Sequence, residues 1–211
     1  MADGMSRSFQ ETSKTMNARN DVTGLVLAGG RGSRMGGVDK GLQMLDGEPL
    51  VQHALRRLTP QVAAVMINAN RHQETYVQFG LPVWPDADAD FAGPLAGFLA
   101  GLSHCETEWL VTVPCDSPRF PLDFVARLAN AVGDARAAVV VTEEAGVRQR
   151  QPVFCLMRRS LQADLAAYLA GGGRKIERWL ESQGCVDVLF DDLDAFFNAN
   201  TINELRQLGS E

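Results

Sequence analysis

Two segments of this chain, GLVLAG at 24–29 and AAVVV at 137–141, are apolar without interruption. A strand with one solvated face alternates apolar with polar residues, so unbroken runs of this kind suit strands covered on both faces, as in a parallel sheet between two helical layers. Such a sheet needs amphipathic helices between its strands, and the chain supplies them. LVQHALRRL at 50–58 places Leu50, Val51, Ala54, Leu55 and Leu58 at helical spacing, with Gln52, Arg56 and Arg57 facing elsewhere.

The same rhythm continues through AAVMINAN and RHQETYVQFG, LPVWPD and GPLAGFLAGL, then WLVTVPCD and LDFVARLANAV. Pro94 and Pro121 each suit the first turn of a helix, where an N–H is dispensable. After Glu144 the pattern changes: QPVFCLM and CVDVLF read as strands around the helical stretches SLQADLAAYL and KIERWLESQ. These suggest an appended antiparallel element, of the kind that commonly edges a mixed sheet. The expected fold is α/β: a three-layer α/β/α sandwich with a mostly parallel, Rossmann-like sheet and an antiparallel C-terminal element. Residues 1–21 show no hydrophobic periodicity and read as a disordered leader, which leaves 22–208 as a single domain.

Lys and Arg together number 20 and Asp and Glu 26, a net charge of −6. That balance excludes the broad basic surface of a nucleic-acid or anionic-membrane binder, so an anionic ligand must be met locally. No window approaches the roughly 18 consecutive apolar residues of a membrane span, and no signal-peptide core opens the chain, so a cytoplasmic location is expected. Cys105, Cys115, Cys155 and Cys185 contain no C-x-x-C pair and read as reduced thiols rather than disulfides or a zinc site.

In an open parallel sheet, ligands sit beyond the carboxyl ends of the strands. The segment after the first strand, LAGGRGSRMGGVDKG at 27–41, has glycine at 29, 30, 32, 36, 37 and 41. That density lets backbone N–H groups approach a ligand closely, phosphate above all. Neither standard phosphate motif fits: Met35 stands where G-x-G-x-x-G requires glycine, and no Gly-Lys-Ser/Thr follows. Arg31, Arg34 and Lys40, offset by Asp39, gather local positive charge suited to a triphosphate or pyrophosphate. The bland alternative is a surface loop with solvated charges.

WLVTV runs into Pro114-Cys115-Asp116, placing a carboxylate at a strand end on the same edge. Hard oxygen ligands suit Mg²⁺, which keeps waters and borrows substrate phosphates, so Asp116 is the candidate metal ligand; the alternative is N-capping of the following helix. Asp86 ends LPVWPD similarly, against a turn reading shared with Asp88 and Asp90. Asn68 ends AAVMIN with an amide that can donate and accept toward a base or ribose edge, whereas Asn70 reads as a turn residue. His53, His72 and His104 form no nucleophile–base arrangement. Arg174 and Lys175, after the glycines at 171–173, could meet a second anionic substrate or cap the preceding helix.

LAGGRGSRMGGVDKGL resembles the signature of the nucleotidyltransferases of the glycosyltransferase-A type. Its GGVDKGL ending, with INANRHQETY (67–76), WPDADADFAGPLAG (84–97), VPCDSP (113–118) and AFFNANTINEL (195–205), resembles the molybdenum cofactor guanylyltransferases over residues 23–208. The resemblance implies transfer of GMP from GTP to the terminal phosphate of molybdopterin, with pyrophosphate released, the guanine dinucleotide cofactor formed and Mg²⁺ as cofactor. It implies nucleotide binding by Leu27, Ala28, Gly29, Gly30, Lys40, Asn68, Asp86 and Asp116, and catalytic roles for Lys40, Asp116 and Arg34. It also implies Asp116 and Asn200 as metal ligands, although Asn200 could equally cap the final helix, a role for which Thr201 is the stronger candidate; Asn198 belongs to the same motif. Gln151-Pro152 resembles the region facing the pterin. A monomer is expected, handing its product to cofactor-insertion and target enzymes. The alternatives are a cytidylyl or sugar-nucleotide transferase of the same fold, a nucleotide-binding regulatory module and a partner-binding protein.

Overall fold

The structure, a computed structural model, describes residues 16–28, 39–86 and 93–198. The strands are β1 (Val22–Leu27), β2 (Met44–Leu45), β3 (Glu48–Pro49), β4 (Ala64–Asn68), β5 (Val83–Trp84), β6 (Trp109–Pro114), β7 (Ala137–Glu144), β8 (Val147–Arg158) and β9 (Val186–Phe190). The α-helices are α1 (Ala18–Asp21), α2 (Leu50–Leu58), α3 (Gln73–Val77), α4 (Pro94–His104), α5 (Phe124–Ala131), α6 (Gln162–Ala170) and α7 (Ile176–Ser182). The main sheet has the order β5-β4-β1-β6-β8-β7-β9, and β2 pairs with β3 apart from it.

Alternate residues of the buried strands feed two separate cores. Val22, Val26, Val65, Ile67, Val111 and Val113 pack with Val51, Ala54, Leu55 and Leu58 of α2 and with Phe124, Val125 and Leu128 of α5. Leu25, Met66, Leu110, Ala137 and Val139 pack on the opposite face with α4, α6 and α7, where Trp179 is fully buried. Unbroken apolar runs are thus explained by helices on both faces, and the sandwich is three-layered. The five α2 residues chosen by helical spacing are all buried.

The antiparallel element lies inside the sheet rather than at its edge. β8 pairs antiparallel with both β6 and β7, whereas β9, parallel to β7, forms the border. The connection through α5 leaves one sheet position vacant between β6 and β7, and the β7–β8 hairpin returns the chain into it. The hairpin turns at Ala145 and Gly146, both at positive φ, 49° and 81°, as the right-handed twist of paired strands favours. Pro152 is accommodated because the β7–β8 register jumps from Val139↔Cys155 to Val140↔Gln151, bulging Pro152, Val153 and Phe154 out of the ladder.

One helix boundary differs from the sequence expectation. Pro94 does open α4, but α5 begins at Phe124 rather than Pro121. The Pro121 carbonyl instead accepts from Phe124 N–H and from Gln61 Nε2. Residues 16–21, assigned by composition to a disordered leader, carry the short α1 with Asn17 as N-cap, and Met16 and Ala18 pack against the core.

Candidate active site

The four strands of the contiguous parallel run, β5, β4, β1 and β6, end at one level. Leu27 lies opposite Asn68 and Pro114, and Asn68 opposite Trp84, so the segments after β1, β4, β5 and β6 all leave from the same edge. Two residues singled out from distant motifs meet there: Lys40 Nζ donates to Asp116 Oδ2 at 2.9 Å, with the side chains 27% and 15% exposed.

Lys40 begins a 3₁₀ turn, Lys40–Leu42, whose cap is Asp39. Asp39 is buried and its Oδ1 accepts from Gly41 N–H at 3.1 Å and from the Tyr76 hydroxyl at 2.7 Å. Asp39 therefore does not face the ligand edge as an offset to the cations of the glycine segment; it is consumed beneath the turn. Tyr76, on α3, is fully buried. Burial, followed by neighbouring Cys115 and Asp39, pushes its hydroxyl well above the ordinary range, so it stays a neutral donor. An added Cβ on Gly41 would lie 2.4 Å from that hydroxyl oxygen, so the turn sits on the ring with no room to spare. On its far side the turn joins the β2–β3 hairpin, where Leu45 O lies 2.9 Å from His53 Nε2 of α2.

The loop carrying Asp116 is fastened at several points. Cys115 N–H donates to Leu27 O at 3.0 Å, extending the β1–β6 ladder by one residue. Arg57 of α2 donates to the carbonyls of Pro118 and Arg119 at 3.1 and 3.2 Å, and burial, then Arg119, lowers its pKa. Ser117, fully buried, donates its hydroxyl to Asn198 Oδ1. Below that contact Phe120, Phe124, Phe154, Phe190 and Phe196 interlock edge-on or tilted, with ring centroids 4.9 to 6.2 Å apart. This cluster packs Phe196 against Phe154 and Phe190, two residues before Asn198 meets Ser117. Asp116 is not the cap of α5, whose N-cap position is Asp123.

A second polar group lies at the β4 and β5 ends. Asn68 Nδ2 donates to Trp84 O and to Asp86 Oδ1, both at 3.0 Å. Asn70, read from sequence as a turn residue, joins them: its Nδ2 donates to Asp86 Oδ2 at 2.8 Å, and its Oδ1 accepts from Asp86 N–H at 2.7 Å. Gly97 of α4 makes space for this group, since a Cβ there would lie 2.5 Å from Asn68 Oδ1. Trp84 stacks on His104 with centroids 3.7 Å apart, and His104 Nδ1 lies 2.9 Å from Ala100 O.

The backbone at Leu27 and Ala28 is partly committed to neighbours, because Leu27 O receives Cys115 N–H and Ala28 N–H donates to Asn68 O at 2.9 Å. Gly29, Gly30, Arg31, Arg34, Asp88, Asp90, Asn200 and Thr201 lie outside the described residues. Arg174 caps: its Nη1 donates to Leu169 O, at the end of α6, at 2.9 Å. Lys175 occupies the N-cap position of α7, and its carbonyl accepts from Tyr168. Asp39, Tyr76 and Asn70 escaped sequence reasoning, since nothing in the local pattern marks Tyr76 as a polar partner of a residue 37 positions away.

Among the described residues no three His, Cys, Asp or Glu side chains gather as a metal cage. The single Asp116 carboxylate nonetheless fits a divalent ion of the magnesium kind, which is typically held by one or two carboxylates plus substrate phosphates.

A lysine and an acidic strand end thus meet on one edge of a parallel sheet, where such folds place their ligands. Residues 24–186 match the MobA-like NTP transferase domain, and the chain belongs to that family. It is 60% identical over 194 residues to the molybdenum cofactor guanylyltransferase of Cupriavidus necator, covering 90% of this chain and 98% of that one. The protein of the same name from Bordetella petrii is 56% identical over 192 residues, with 90% and 98% covered. Among solved structures, molybdopterin-guanine dinucleotide biosynthesis protein A of Archaeoglobus fulgidus has a TM-score of 0.71 at 22% identity, covering 88% of this chain and 95% of that one. A 4-diphosphocytidyl-2C-methyl-D-erythritol synthase of Anaerococcus prevotii has a TM-score of 0.74 at 11% identity, with 92% and 96% covered.

Proposed function

We propose that this chain catalyses guanylyl transfer from GTP to molybdopterin. The terminal phosphate oxygen of molybdopterin attacks the α-phosphorus of GTP, a new P–O bond forms, the α–β bridging P–O bond breaks, and pyrophosphate leaves. The observation that carries this reading is the Lys40–Asp116 pair at the common strand edge. It occurs in a chain 60% identical over nine-tenths of its length to a protein named for this reaction. The cytidylyl alternative has likeness of fold at 11% and 14% identity behind it.

A phosphate monoester with a second pKa of about 6 is largely ionised at neutral pH, so no protein base is required. The work left to the protein is positioning and charge neutralisation. Lys40, the first residue of its turn, presents its ammonium beside Asp116 to the phosphates, assisted by Arg31 and Arg34. Asp116, with Asn200, would hold Mg²⁺, which when bound neutralises phosphate oxygens. Asn68 and Asp86, with backbone groups of residues 27–30, take the guanosine end. No described helix is long and apolar enough to cross a membrane, and the product is handed to cofactor-insertion and target enzymes.

The test is incubation of the purified chain with molybdopterin, Mg²⁺ and GTP, CTP, ATP or UTP in turn, following pyrophosphate release and the dinucleotide product. Turnover with GTP above the other nucleotides is expected. A preference for CTP would overturn the reading in favour of cytidylyl transfer.

A further inference from the structure

The described residues on either side of the glycine segment, Ala28 and Asp39, converge on one side chain. The Tyr76 hydroxyl lies 2.7 Å from Asp39 Oδ1 and 3.5 Å from Ala28 O. Tyr76 itself belongs to a helix 37 residues further along the chain and is fully buried. Its backbone N–H, like that of Thr75, donates to the carbonyl of His72, a non-glycine residue held at a φ of 51°. The tyrosine is thus fixed by its own helix and by the core rather than by the segment it touches.

We propose that Tyr76 is a positioning residue for Lys40, acting through the carboxylate of Asp39. The same oxygen, Asp39 Oδ1, accepts from Tyr76 and from Gly41 N–H, so the residues on both sides of Lys40 are tied to one point. Gly41 lies so close to the hydroxyl that no side chain fits between them, and Cys115 Sγ closes the space behind, 3.3 Å from where a Cβ would be. Lys40 then has little freedom at its Cα, and its ammonium is delivered to Asp116 at 2.9 Å. Without the hydroxyl, the buried carboxylate loses a donor that nothing else on the ring can replace, and such a group is driven to rearrange or take up water. Rearrangement of Asp39 moves the turn that carries Lys40.

In its catalytic consequence the proposal rests on the guanylyl-transfer reading, but its first test does not. Lys40→Ala, Asp116→Ala and the double variant, unfolded in urea, give the coupling between the two charges. That coupling is expected to shift the unfolding equilibrium several-fold in the wild-type background and to vanish in Tyr76→Phe. Its persistence in Tyr76→Phe overturns the proposal. In the transfer assay with GTP and molybdopterin, Tyr76→Phe is expected to lower kcat about tenfold, with KM for GTP within about threefold, and to add nothing in the Lys40→Ala background. An equal loss in both backgrounds, the mark of a merely structural role, also overturns it. Should Tyr76→Phe not fold, Asp39→Ala and Asp39→Asn run the same cycles: coupling lost in the first and kept in the second supports the proposal, and coupling kept in both overturns it. Absence of transfer by the wild-type chain would count against the guanylyl reading alone, because the urea cycles read the Lys40–Asp116 contact without substrate.

Discussion

Two ion pairs of this molecule have the same length and different surroundings. Lys40–Asp116 and Arg148–Glu143 are each 2.9 Å, but the first is 27% and 15% exposed and the second 69% and 40%. Arg148–Glu143 bridges the two strands of the β7–β8 hairpin beyond the bulge, where water screens both charges and either side chain can leave without consequence. Lys40–Asp116 stands over a buried carboxylate, a buried tyrosine and a loop fastened by Arg57, so neither charge can relax without disturbing its neighbours. Distance alone does not mark a functional pair. What surrounds the pair does.

The largest effect that would break this comparison is expected from Asp116→Ala. If Asp116 anchors the metal, magnesium-dependent transfer falls below detection while circular dichroism stays near wild type and the melting temperature falls by only about 2–4 °C; near-full activity would remove Asp116 from the site. Lys40→Ala should lower kcat by about 10²- to 10³-fold, the magnitude seen when one preorganised partner of transition-state charge is lost. A change confined to KM would instead make Lys40 a uniform-binding residue. Gly97→Ala acts on the other half of the site: its Cβ would press on Asn68 Oδ1 from 2.5 Å. Overpacking of this kind costs about 1–3 kcal/mol, measurable by urea unfolding, and the displaced amide should raise KM for GTP more than it lowers kcat. Arg148→Ala is the smallest and the control, expected to leave the melting temperature and its salt dependence where they were. A loss there comparable to that of Lys40→Ala would show that burial is not what separates the two pairs.

Much of the site was legible because the sheet does the placing. Strands covered on both faces declare themselves as apolar runs, and residues directly after them, Asp116 among them, must reach one edge when the strands are parallel, whereas Lys40 follows β1 only at the far end of the glycine segment. Asn68 and Asp86 were legible for the same reason. Asn70 was not, since an asparagine two residues beyond a strand looks like turn chemistry until Asp86 is seen beside it. Arg174 was open between two roles, and only its 2.9 Å contact with the last turn of α6 decided for capping.

Periodicity and composition therefore determined the α/β class, the two helical layers, the core-facing stripe of α2 and the edge where Asn68, Asp86 and Asp116 stand, because each depends on neighbours within a few positions. Tertiary structure alone decided that β8 enters the sheet between β6 and β7, that Tyr76 meets Asp39 and that Ser117 meets Asn198. Those two contacts join residues 37 and 81 positions apart, and the sheet position of β8 follows from which gap the α5 connection leaves open. Such pairings leave no trace in local spacing, because burial selects a side chain by what lies opposite it in space.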